Sequence, residues 1–187
     1  MVYWLIALAC LFIVGGMFSI LPSPKERAIG KLRLQARQKN LVIGIEYIHD
    51  VNAPASERVS AGGIRVEPKK RCASWAMEFV NETDEDYPEW TLYKSIRENG
   101  PITNTHLVLG ESSSLTLERE YWKQIEEILI LSPPTLVALV CTSNSVKWLG
   151  HERLETSAEE YIDRMLLFLN RLIELNRLIV ASSKQFL

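Results

Sequence analysis

YWLIALACLFIVGGMFSIL, residues 3–21, runs for nineteen residues without a charge, and its reading decides what the rest of the chain is attached to. At ~1.5 Å rise per residue such a helix reaches roughly 28 Å, close to the ~30 Å hydrocarbon core of a bilayer. Tyr3 and Trp4 stand at one end, where amphipathic rings favour the headgroup level. A buried helix of a globular domain would carry a polar stripe, and here only Ser19, Gly15 and Gly16 interrupt the run. No Lys or Arg precedes residue 25 and Phe18–Pro22 makes a poor cleavage site, which argues against a cleaved signal peptide. The expectation is an uncleaved transmembrane anchor over residues 1–21.

The flank supplies an orientation. Lys25, Arg27, Lys31, Arg33, Arg37 and Lys39 follow the run, and no cation lies on its other side. The positive-inside rule then expects a single-pass protein of the bacterial inner membrane, N-terminus outside and body in the cytoplasm. Ser23-Pro24-Lys25-Glu26 reads as a helix start, with Ser as N-cap, Pro at the first helical position and Glu closing a capping box. A basic juxtamembrane helix over 22–40 is expected, its six cations able to meet an anionic leaflet. The lipid bilayer is thus the first partner expected.

Residues 41–187 suit one domain. Residues 22–40 hold six Lys+Arg against one acid, which leaves 15 against 22 for the remainder, a formal charge of −7. An acidic head argues against nucleic acid as a partner. Three cysteines without a spacing motif give neither a disulfide framework nor a metal site.

Within the body the periodicity predicts strands at Leu41–Ile48, Ala73–Val80, Trp90–Ile96 and His106–Leu109. A helix follows over Leu115–Leu131, then a hairpin of Thr135–Cys141 and Val146–Leu149. Ser157-Ala158-Glu159-Glu160 opens a long helix whose apolar face carries Ile162, Met165, Leu166, Leu169, Leu172 and Ile173. The stretch from His49 to Gly63 reads as a long loop. The fold class expected is α+β: a transmembrane helix, a basic helix, then a mostly antiparallel sheet covered by two helices.

Chemistry is sparse. No phosphate loop or nucleophile elbow is present, His49, His106 and His151 are isolated, and no cofactor or metal is expected. Cys141 in an apolar strand reads first as a small core residue. Glu82, Asp84, Glu85, Asp86 and Glu89 form an acidic connection just before Trp90, and these six are the candidate partner-binding residues. An acidic rim steers association, and a neighbouring aromatic supplies anchoring area if it is exposed.

An N-terminal span followed by Leu21-Pro22-Ser23-Pro24-Lys25-Glu26-Arg27 and a Lys/Arg-rich helix resembles a group of small membrane-anchored proteins of proteobacteria. Val146-Lys147-Trp148-Leu149-Gly150 fits the same impression. The layout is similar to that of YajC-like translocase accessory proteins, a resemblance that implies no residue role here. The function expected is a membrane-anchored protein-interaction module, an accessory subunit or scaffold whose partner is another membrane or cytoplasmic protein. The alternative is a membrane-tethered enzyme using Cys141 or a histidine. Convergence of the cysteines and histidines in one cleft would favour that enzyme, and dispersal the binder.

Overall fold

Helix α1 (Pro24–Gln38) begins where its sequence dictates. The Ser23 hydroxyl accepts from the Glu26 amide at 3.3 Å, and the Glu26 carboxylate accepts from the Ser23 amide at 2.6 Å. Those two bonds hold the Glu26 carboxyl below the usual carboxylate range. The helix ends in a Schellman arrangement. Asn40 takes a left-handed φ of 62°, its N–H reaches Arg37 O, and the Leu41 N–H reaches Ala36 O. Leu41 and Ala36 enter the same core cluster, so the turn that stops the helix also aims the first strand.

The structure is a computed structural model. It describes residues 3–4, 11–12, 23–60, 62–80, 89–95, 107–110, 119–153 and 156–183. Strands β1 (Val42–His49), β2 (Lys69–Glu78), β3 (Trp90–Lys94), β4 (Leu107–Leu109), β5 (Leu136–Cys141) and β6 (Ser145–Gly150) form one sheet in the order β1-β2-β6-β5-β3-β4. Every neighbouring pair in it is antiparallel. The β5–β6 hairpin is inserted between β2 and β3.

Helices α2 (Arg119–Leu129) and α3 (Ala158–Ser183) join α1 on one face of the sheet. α1 packs on β1 and α3, α3 lies over β2 and β6, and α2 packs beside α3. Three helices therefore cover the sheet where two were expected. The added one is the basic helix: Leu32 and Ala36 are fully buried in the shared core.

Alternate positions sort cleanly. Ala73, Trp75, Met77 and Phe79 face the helices, as their spacing predicts. Trp75, Trp148, Leu139 and Leu92 then stand in register across β2, β6, β5 and β3. Each buried indole finds an acceptor: Trp75 Nε1 on Glu152 Oε1 (3.1 Å), Trp148 Nε1 on Ser132 Oγ (3.2 Å) and Trp90 Nε1 on Asn176 Oδ1 (3.4 Å). Gly150 makes room for this row, because a Cβ there would lie 2.5 Å from the Trp148 ring and 2.5 Å from the Thr135 carbonyl oxygen.

The membrane expectation is corrected. Among the described residues no helix is long and apolar enough to cross a membrane. The single-pass inner-membrane placement, its external N-terminus and its cytoplasmic body fall with that finding. Of the apolar run the structure describes Tyr3, Trp4, Leu11 and Phe12, all helical and exposed, and the rest of it lies outside the described residues. Lys25, Arg27, Lys31, Arg33, Arg37 and Lys39, expected at a membrane surface, stand on α1 or at its end. α1 turns its apolar side to the body, and two of these cations serve the fold. Arg33 pairs with Glu152 at 2.5 Å and Lys39 with Asp163 at 2.5 Å.

Candidate functional site

The sheet keeps the two described cysteines apart. Cys141 belongs to the core cluster beneath the helices and Cys72 to a second cluster, with Ala138 and Leu149, on the opposite face of the sheet. Burial first, then the Glu89 carboxylate, pushes the Cys141 thiol up to about 12. Burial also raises Cys72, with Lys70 working against it and Asp50 with it. A thiol so disfavoured as thiolate is a poor nucleophile at neutral pH.

His49 ends β1 and meets the Tyr93 ring edge-on at 6.4 Å. His151 is exposed just past β6, its backbone held by Thr135. His106 lies outside the described residues. Among the described residues no group of three His, Cys, Asp or Glu side chains could hold a metal.

The acidic connection contributes little that can be built upon. Glu82, Asp84, Glu85 and Asp86 lie outside the described residues. Glu89 is exposed, but Trp90 is 1% exposed and donates to Asn176. Its ring is core and offers no anchoring area to a partner.

The long loop after β1 is folded across the outer face. Asp50 accepts the Asn52 amide in an Asx turn, and the Asn52 side chain reaches the Lys94 carbonyl on β3 at 2.8 Å. Arg58 pins the Val51 and Ala53 carbonyls, and Ala53 is buried. Beyond the loop the same face carries Glu46, which accepts from Ser74 Oγ (2.8 Å) and pairs with Lys147 (3.2 Å). Its Oε1 accepts from both neighbours, one on β2 and one on β6, so this trio is cross-strand structure.

A concave feature lies on the helical side. An open cleft of about 490 Å³ runs between Gln124, Glu127 and Ile128 of α2, with Leu131 just past its end, on one wall and Arg171, Glu174, Leu175 and Leu178 of α3 on the other. Gln124 and Ile128, and likewise Arg171, Leu175 and Leu178, fall three or four apart, so one groove runs along both helices. Arg164 fixes its end by donating to the Ile130 and Leu131 carbonyls at the C-terminus of α2. The floor is apolar, and Leu178 is half exposed at its mouth. The rim carries Glu127 and the Arg171–Glu174 pair, 3.3 Å apart. No protein-family model, curated protein or solved structure matches the chain. Nothing in these comparisons identifies a YajC-like layout.

Sequence reasoning missed this groove. The signal was present in Ile128, Leu131, Leu175 and Leu178 at helical spacing, but apolar residues at that spacing read as core until the packing shows which are left uncovered.

Proposed function

We infer that this protein is a protein-interaction module whose α2–α3 groove receives an amphipathic helix from a partner. The groove itself carries this reading: an apolar floor between two helices with a charged rim suits an apolar face presented at i, i+3, i+4 and i+7. Glu127 and Glu174 favour cations along the edges of the incoming helix. Cys72 and Cys141 stand on opposite faces of the sheet and burial raises both thiols, which among the described residues supports binding over catalysis.

A photo-reactive residue at Leu178 tests it. A partner should be crosslinked there and not from an equivalent residue at Glu57, which is exposed in the loop after β1. The purified partner should then bind at least ~tenfold more weakly to Leu178→Glu, a change that leaves folding intact because the side chain is already half exposed. Equal crosslinking from both positions, or unchanged affinity, would remove the groove from the account.

A further inference from the structure

β1 is a terminal strand of the sheet, and among the described residues only β2 pairs with it. Half of its backbone N–H and C=O groups therefore point away from any strand partner, an arrangement that proteins ordinarily blunt with Lys, Pro or a short strand. Val42–His49 uses none of these: it is eight residues long, contains neither Lys nor Pro, and its one carboxylate, Glu46, is held by Ser74 and Lys147. Val42, Ile45 and Tyr47 are 50%, 45% and 66% exposed. Ile45 and Tyr47 share the face of Ile43, which is buried, so the helical layer covers the start of β1 and leaves its second half bare.

Charge selects the occupant. Across the strand, Tyr47 is in register with Arg71, Ile48 with Lys70 and His49 with Lys69, of which Lys69 and Arg71 are exposed. A second copy of the chain suits the edge poorly. A second β1 brings no free carboxylate to these cations, because its one acid, Glu46, is already held by Ser74 and Lys147.

We propose that the free edge of β1 accepts an extended acidic segment of a partner protein as an additional antiparallel strand. Main-chain hydrogen bonds supply the attachment, apolar side chains of the segment rest on Ile45 and Tyr47, and a carboxylate further along the same face meets Lys69 and Arg71 on β2. This surface is separate from the α2–α3 groove, and neither reading depends on the other.

The experiment uses the full chain and a fluorescein-labelled peptide of the length of β1 that carries Val and Glu together on one face and Thr on the other. Fluorescence anisotropy should show binding that weakens at least ~tenfold as salt is raised, and a Val/Lys peptide should not bind. Hydrogen exchange should slow at alternate β1 amides when the peptide is present. Ile45→Glu and Tyr47→Glu should abolish binding at unchanged melting temperature, and Leu178→Glu should leave it untouched. Equal binding of the Val/Lys peptide, or binding that survives both glutamate variants, would overturn the proposal. So would concentration-dependent dimerisation of the parent that Ile45→Glu removes, since the occupant would then be a second copy.

Discussion

At the scale of single residues, the sheet is organised around groups that must be satisfied when water is excluded. Three indole N–H groups each have an acceptor drawn from elsewhere in the chain, and Ser132, Glu152 and Asn176 are placed to serve them. Cys141 donates its thiol weakly, to the Thr142 carbonyl at 3.9 Å, and the effect of its burial is legible in pH. Its ordinary value of 9.0 is raised in the folded chain to about 12, so the folded state keeps a proton that the unfolded state loses. The contribution is fully present below pH 9 and is lost as pH rises from there towards 12, by up to about 1.4 kcal/mol per unit. Urea titrations at stepped pH should therefore show stability falling more steeply above pH 9 in the parent than in Cys141→Ala. Parallel slopes would mean that the thiol is not buried as described.

At the scale of elements, α3 carries the most core, and Ile162, Met165, Phe168, Leu169 and Leu172 are all essentially inaccessible. Leu169→Asp would bury a charge with no partner and should cost several kcal/mol, enough to abolish a cooperative melt in a marginally stable domain. Circular dichroism that still melts within a degree or two of the parent would contradict the packing.

Elements of this kind were legible in the sequence because their signals are local. The Ser23 and Ser157 caps, the alternation from Ala73 to Phe79 and the apolar run of β5 all act over a few residues. Strand order was not legible, since nothing within the β5–β6 hairpin says that it inserts between β2 and β3. The role of α1 was missed for a related reason. Six cations dominate its sequence, while Leu32 and Ala36, only a turn apart, are what bind it to the core. Trp90 was misplaced because an aromatic after an acidic stretch looks the same in sequence whether it faces solvent or Asn176.

At the scale of the whole molecule, the question is what joins the basic helix to the acidic body. Burial of Leu32 and Ala36 supplies the apolar part, and Glu152 supplies the specific part. Its side chain is 5% exposed and accepts from Arg33 Nε at 3.0 Å, Arg33 Nη2 at 2.5 Å and Trp75 Nε1 at 3.1 Å. One carboxylate thereby ties α1 to the row of tryptophans across the sheet. The two partners are unequal. Arg33 is about a third exposed, so it can turn to water if Glu152 is lost, whereas Glu152 cannot follow if Arg33 is lost. Arg33→Ala should accordingly cost about 2–3 kcal/mol, below the usual range for a broken buried pair because water reaches the arginine side. Glu152→Gln keeps an acceptor for Trp75 and should cost less, about 1 kcal/mol. The double variant should be more stable than Arg33→Ala alone, because a neutral amide no longer demands a cation. Urea unfolding of the parent, both single variants and the double variant measures this cycle directly. Simple addition of the two losses would mean that Glu152 is solvated and that α1 is held by its apolar face alone.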